Sequence, residues 1–405
     1  MQDLLRIVLV VLILLLLIKK KLDLGLVLFF GAVFSGLVFG LNLKALALNL
    51  FKVLISFETL SLIGIIVFVL YLGHFLQARG NFKILVDSLK DLIPEARLIL
   101  AIPPAFIGLL PMLGGALMSA PIVEEAGRRW KLSPAWETFL NYWFRHIWEY
   151  CWPLYMNLIM AAAILKIPIK KISSVQFPFT ILATILGLIL LFKQVHYLPK
   201  ERKSNRFLKN LFNLFFSLWP ILLAIILIFA LKLHMLYSLA ITAFLTQVLS
   251  PMKIKERLNL IWKSISLKTI FLLASVMMFK KILEVSGALS SLTQVFRPEG
   301  ISAYFLLFVV PFFLGLLTGV NHAFVGISFP LLLPIFGLSH PDMVLVMFSY
   351  VSGFVGILLS PAHLCLILTV DYFQADLRDV YKILIWPCWI VFSAAFLVLL
   401  FLRIL

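Results

Sequence analysis

The sequence predicts an all-α integral membrane protein, with about 10 transmembrane helices plus two re-entrant hairpins arranged as two inverted-topology repeats. Three observations predict it. Hydrophobic residues make up 63% of the 405-residue chain against 13% charged, with mean hydropathy +1.09, and a soluble surface needs far more charge than that. Apolar runs of about 20 residues, enough to cross roughly 30 Å of hydrocarbon, recur along the whole length. The two halves also carry the same Gly, Pro and Tyr landmarks in the same order.

The first apolar run, Leu4 to Ile18, is followed by Lys19, Lys20 and Lys21. A cleaved signal peptide has its positive charges first and a small-residue cleavage site behind. The order here is reversed, so the run reads as a retained span ending in the cytoplasm. The first repeat, 1–195, then continues with a span at 24–40, an amphipathic connector at 41–55, a span at 57–77 and a polar connector at 79–96. A Gly/Pro-interrupted apolar stretch (98–126), a long interrupted helix (135–165) and a final span (173–193) close it. After a basic linker, 196–207, the second repeat (208–405) runs the same course. Its spans lie at 208–231, 235–250 and 269–286, with connectors at 251–267 and 287–300. Its interrupted stretch is 301–337, its broken helix 342–371 and its last span 382–403.

Overlaying residues 60–110 on 267–317 places Leu60 on Leu267, Gly80 on Gly287, Pro104 on Pro311 and Gly108 on Gly315. Farther along, Tyr142 falls on Tyr350 and Pro153 on Pro361. Apolar matches are cheap in so biased a sequence; matched Gly, Pro and Tyr positions are not. If the Gly/Pro stretch enters and leaves on one side, each half crosses the membrane an odd number of times and the second half is inverted. Roughly two thirds of the 35 Lys and Arg then fall in cytoplasmic segments, as the positive-inside rule requires. Lys166, Lys170 and Lys171 fall on the other side. Both termini are expected outside the cytoplasm of a cell (inner) membrane.

The net charge of +17 does not point to nucleic acid, because the basic residues sit in short loops between spans. Cys151, Cys365 and Cys388 lie in apolar segments and read as small buried hydrophobes. No H-E-x-x-H, G-x-S-x-G, P-loop or C-x-x-C occurs, so neither an enzyme nor nucleotide-driven transport is expected. No cofactor or metal is expected beyond a coupling ion, Na⁺ or H⁺.

Broken helices at membrane depth are tolerated only where protein or a water-filled cavity satisfies the freed backbone, so the breaks mark the candidate site. In I-P-P-A-F-I-G-L-L-P-M-L-G-G-A-L-M-S-A-P the tip falls at Gly114 and Gly115, with Ser119 just beyond. Free N–H groups at such a tip bind anions without a cationic side chain. The second copy carries Thr318, Asn321 and His322 at its tip. In N-Y-W-F-R-H-I-W-E-Y-C-W-P-L-Y, residues 141–155, the spacing of Tyr142, Arg145, His146, Glu149 and Pro153 makes one stripe on a continuous helix. An unpaired charge there would cost about 2.5 kcal/mol or more, so the stripe faces protein or water. Trp152 precedes the Pro153 break; Ser360 and His363 flank Pro361 in the second half. Two readings of Arg145 and Glu149 stay open from the residues: a pair that locks this helix to its neighbours, or a substrate and proton site. The second half has Gly353 and Ile357 near the matching positions, without charge, which favours the site. Trp143, Trp148 and Trp152 serve equally as a ligand stack or as an interfacial belt.

The runs G-L-L-P-M-L-G-G-A-L-M-S-A-P and N-Y-W-F-R-H-I-W-E-Y-C-W-P-L-Y resemble those of an uncharacterised family of predicted prokaryotic permeases, over essentially the whole chain. That family is grouped with the ion transporter superfamily of divalent anion/sodium symporters, gluconate and citrate permeases and TRAP transporter large membrane subunits. The resemblance implies elevator-type movement, with hairpin tips at Gly114–Gly115 and Thr318–His322 meeting unwound helices near Trp152–Pro153 and Ser360–Pro361. It also implies a homodimer through the scaffold helices. The first tip lacks the Ser-Asn-Thr motif of the dicarboxylate/sodium symporters, so neither sodium nor a dicarboxylate is implied.

The expected function is secondary active transport of a small anionic solute, coupled to H⁺ or Na⁺. Arg145 and the tip N–H groups (Gly114, Gly115, Ser119) would meet the anion, with Tyr142, His146, Trp152, Thr318, Asn321, His322, Ser360 and His363 around it. Glu149, His146 and Asn321 would carry the coupling proton or cation. The competing expectations are a cation/proton antiporter and a lipid flippase or membrane enzyme acting on a lipid carrier.

Overall fold

A computed structural model describes residues 2–93, 95–109, 115–197, 207–290 and 301–403, and every regular element in them is helical. In chain order the first half holds α1 (Gln2–Lys19), α2 (Leu24–Val38), α3 (Leu43–Leu54), α4 (Phe57–Ala78) and α5 (Asn81–Leu92). It continues with α6 (Ile102–Gly108), α7 (Gly115–Gly127), α8 (Pro134–His146), α9 (Met156–Leu165) and α10 (Ile169–Gln194). The second half holds α11 (Phe207–Ile225), α12 (Met235–Leu249), α13 (Ile254–Ser264) and α14 (Leu267–Val285). Then follow α15 (Ile301–Thr318), α16 (Asn321–Phe336), α17 (Met343–Leu358), α18 (Leu364–Phe373) and α19 (Leu377–Arg403).

The helices begin where side-chain oxygens can satisfy orphan N–H groups. Asn42 accepts from Ala45 at 2.7 Å at the head of α3, and Asp342 accepts from Val344 at 2.9 Å at the head of α17. The third span of each half opens on the same cap: Ser56 accepts from Thr59 in S-F-E-T, and Ser266 from Thr269 in S-L-K-T, both at 3.3 Å. Helices α10 and α19 start at Ile169 and Leu377, several residues before the apolar runs at 173 and 382. The extra turns carry exposed Lys170, Lys171 and Asp379, which a hydropathy reading leaves out.

Among the described residues, five helical stretches are long and apolar enough to cross a membrane: Phe57–Ala78, Ile169–Gln194, Phe207–Ala230, Ile254–Val285 and Leu377–Arg403. Eight shorter apolar helices accompany them among the described residues. Large apolar side chains such as Phe212, Phe244, Trp262, Trp386 and Phe401 stand on the outside, where a water-facing surface would carry charge. The chain is a multi-pass membrane protein.

The halves interlock reciprocally. Helices α2 and α3 pack on α14 of the other half, and α12 and α13 pack on α4. The helix pairs α6/α7 and α15/α16 follow the same rule. Each first arm lies on its own half's broken helix, α6 on α8 and α15 on α17. Each second arm crosses to the other half, α7 to α18 and α16 to α9. The first arms approach backbone to backbone: a Cβ on Gly108 would stand 2.2 Å from the Arg145 carbonyl oxygen, and one on Gly315 2.3 Å from that of Gly353. Only glycine fits either crossing.

Candidate functional site

Helix α8 starts at Pro134, a residue suited to the first helical position, and stops at His146. The single stripe expected over 142–153 is therefore interrupted. Ile147–Tyr150 form a 3₁₀ turn, and α9 begins only at Met156. The cause lies downstream: Pro153 has no N–H to give the Glu149 carbonyl, and its ring collides with it. Donors from other helices occupy the released carbonyls, Thr180 Oγ1 on Ile147 at 2.9 Å and Tyr350 Oη on Glu149 at 2.7 Å. The second break mirrors the first. Tyr142 Oη donates to the Leu358 carbonyl at 3.2 Å and Tyr381 Oη to Leu359 at 3.0 Å.

Arg145, His146 and Glu149 sit at this break with side chains 3%, 1% and 3% exposed. Arg145 Nη1 lies 3.5 Å from Glu149 Oε1 and 3.5 Å from His146 Nε2. The other Glu149 oxygen accepts from Asn321 Nδ2, at the first residue of α16. His146 Nδ1 faces the Tyr142 carbonyl oxygen at 2.6 Å. His363 Nδ1 faces the Gly319 carbonyl oxygen at 2.7 Å, and the two Nε2 atoms stand 3.0 Å apart. The α8 end, the α15–α16 turn and the α17–α18 break thus meet in one polar cluster. Carboxylate, guanidinium and imidazoles are buried together, which is tolerable only because each has a partner.

The other expected site residues are placed as follows. Gly114 lies outside the described residues, and Gly115 opens α7. Ser119 donates to Asn141 Oδ1 at 2.6 Å, one turn before Arg145. Thr318 Oγ1 donates to Leu314 O at 2.6 Å and accepts the Val320 N–H at 3.3 Å, closing the end of α15. Ser360 Oγ donates to Leu316 O at 2.7 Å and accepts from Ala362 N at 3.1 Å. Asn321 reaches Glu149, whereas His322, the next residue of the helix, projects about 100° away from it. Trp152 Nε1 is buried without a hydrogen-bond partner, its ring 5.8 Å from Trp148. Trp148 itself donates to Ala105 O at 2.9 Å, tying the break to α6.

Sequence reasoning overlooked three polar groups that hold the cluster together. Tyr350 supports the Glu149 backbone, Asn157 donates to the Tyr350 hydroxyl, and Tyr155 donates to the Gly108 carbonyl. The match of Tyr142 with Tyr350 was the available signal. Cys365 brings its Sγ within 4.8 Å of the His146 and His363 ring nitrogens. That trio is the nearest approach to a metal-ligand set among the described residues. The Arg145 guanidinium beside His146 Nε2 opposes a multivalent cation there.

The family described as "Protein of unknown function (DUF401)" matches residues 2–404. No curated protein matches the chain.

Proposed function

The chain belongs to the DUF401 family over nearly its whole length, and we propose that it is a secondary active transporter of a small anionic solute coupled to H⁺ or Na⁺. One observation carries the reading: Arg145, His146 and Glu149 are buried where a helix break of each half meets the α15–α16 turn. A scaffold lock needs neither two helix breaks nor the start of α16 converging on one charge cluster. An anion carrier uses all of them, because helix N-termini and a guanidinium stabilise negative charge.

The proposed architecture has about 10 spans in two inverted repeats, the pairs α6/α7 and α15/α16 being re-entrant hairpins. The reciprocal packing of α2–α3 on α14 and α12–α13 on α4 supports it. So do the loop contacts, which join segments assigned to the same side. Asp23 pairs with Lys268 at 2.7 Å, Trp130 Nε1 donates to His196 O at 2.9 Å, and Tyr372 Oη donates to Glu124 at 2.9 Å, all between segments read as cytoplasmic. Lys166 with Glu58, and Arg403 with Asp342, join segments read as external.

In mechanism, Arg145 and the helix starts at Gly115 and Met156 take the anion. The coupling cation binds in the same cluster, among Glu149, Asn321 and His146. Binding both together leaves the cluster without net charge, whereas binding either alone would add a charge to be carried across the bilayer core. The hairpins and broken helices move as one unit against a scaffold through which two copies pair. The Asn321–Glu149 contact also fits a cation/proton antiporter, which would release protons on cation addition with no anion present.

The test is a thermal-shift screen of purified protein against carboxylates, phosphonates and sulfonates, with and without Na⁺, at two pH values. Stabilisation by one anion class, dependent on Na⁺ or pH, supports the reading. Cation-driven proton release with no stabilising anion would replace it with the antiporter.

A further inference from the structure

We propose that His146 and His363, one from each half of the chain, bind a single proton between their Nε2 atoms, and that this proton is the coupling cation whose binding is linked to that of the anion at Arg145. The proton site stands on geometry; its linkage to an anion rests on the transport reading above.

Four ring nitrogens are involved, and their surroundings count the protons. His146 Nδ1 lies 2.6 Å from the Tyr142 carbonyl oxygen and His363 Nδ1 2.7 Å from that of Gly319. A carbonyl oxygen only accepts, so both Nδ1 atoms carry hydrogen. Each neutral imidazole has one N–H, and here both are used. The two Nε2 atoms then turn lone pairs toward each other at 3.0 Å. Bare, that arrangement is repulsive; with one added proton it is an N–H···N hydrogen bond of ordinary length. Satisfying all three contacts takes three protons, one more than two neutral imidazoles hold.

The charged and titratable groups around the pair decide when that proton stays. Glu149 Oε1, 3.7 Å from His146 Nε2, favours it. Arg145, with Nη1 3.5 Å from the same nitrogen, opposes it. The Tyr142 ring lies tilted with its centroid 4.4 Å from that of His146, and the Cys365 thiol is within 4.8 Å. Arg145 and Glu149 cancel, so the protonated pair leaves the cluster one positive charge in excess. An anion on Arg145 removes that excess. Anion and proton therefore each tighten the binding of the other, and by linkage the effect is reciprocal.

The same proton ties together two parts of the proposed moving unit. His363 Nδ1 is held by Gly319, which turns the chain between α15 and α16 at φ +63°. A Cβ at Gly319 would sit 2.6 Å from the His363 backbone nitrogen, so the turn packs directly on the α17–α18 break. His146 belongs to α8 of the other half. Loss of the proton sets two lone pairs against each other across that junction and loosens it. A metal ion fits less well: two imidazoles on one tetrahedral ion, each at about 2.0 Å, have nitrogens about 3.3 Å apart, and Arg145 would face the ion.

The test is solid-state ¹⁵N spectroscopy of the full chain in bilayers, labelled at histidine ring nitrogens, between pH 5 and 9. Expected are two protonated Nδ1 signals and a nitrogen–nitrogen coupling between two Nε2 atoms. The coupling disappears in His363→Gln and in His146→Gln. Ordinary neutral tautomers at every pH, or a stoichiometric transition metal in the purified protein, would overturn the site. A second arm measures the affinity of whichever anion stabilises the protein. It should rise about tenfold per pH unit lowered while the empty site is unprotonated. If the coupling is seen but no anion binds, the proton site stands and the anion reading fails. If an anion binds with pH-independent affinity and no coupling is seen, the anion reading stands and the shared proton is wrong.

Discussion

Tyr350 donates its phenolic hydrogen to the Glu149 carbonyl oxygen over 2.7 Å, from the middle of α17 to the turn that carries the charged cluster. Its counterpart Tyr142 donates to the Leu358 carbonyl at 3.2 Å, at the other half's break. Each half thus props open the broken helix of the other. Tyr350→Phe leaves a buried carbonyl unsatisfied, which costs about 1–3 kcal/mol. Chemical unfolding in detergent should show that loss, with a smaller one for Tyr142→Phe, whose bond is longer.

The glycine crossings make a second prediction. A methyl on Gly108 or Gly315 would meet backbone at 2.2 or 2.3 Å, and helical backbone cannot swing aside as a side chain can. Gly108→Ala and Gly315→Ala should each destabilise by about 1–3 kcal/mol, the usual range for overpacking. Gly73→Ala is the control, because its Cβ would meet nothing within 4 Å. Melting temperatures of the three variants check the contrast.

Asp23 supplies a pH dependence. Its hydrogen bond from Lys268, helped by the Gly25 N–H, holds its carboxyl below the ordinary value near 3.8, against a smaller opposing effect of burial. A carboxylate depressed in the folded state adds stability that is fully present above its unfolded value and is lost as pH falls through the folded one. The contribution should therefore begin to fade as pH drops below about 4. Its size is modest, about 0.5–1 kcal/mol, because Lys268 is mostly exposed. Asp23→Asn should lower unfolding stability by that amount at pH 7 and by progressively less as the pH is taken below the ordinary carboxylate value, measured by denaturant titration.

The buried charges predict a non-additive pair. Arg145→Gln alone strands the Glu149 carboxylate, at a cost of about 3–5 kcal/mol for a broken buried pair. Arg145→Gln with Glu149→Gln removes both charges. The double variant should melt closer to wild type than either single one, and a double-mutant cycle reads the coupling.

What the sequence disclosed follows from how local each cause is. Pro153, Pro361 and the paired Gly108 and Gly315 act on their own backbone, so the breaks and crossings could be read from residue type and spacing. The stop of α8 at His146 could not, because the carbonyls released there are taken by Thr180 and Tyr350, from α10 and α17. Nor could the choice of Asn321 over His322 as the partner of Glu149, which depends on how α16 is rotated. His146 and His363 were each legible as polar groups beside a break. Their meeting, across 217 positions of sequence, is a property of the interlocked halves.

On the transport reading, the Arg145–Glu149 cluster carries an anion together with a cation. The most direct measurement is initial uptake of the anion selected by thermal shift into proteoliposomes under an imposed pH or sodium gradient. Wild-type protein should accumulate it, and the double Arg145→Gln, Glu149→Gln variant, folded by its melting curve, should give only background uptake. Equal rates for the two proteins would contradict the account.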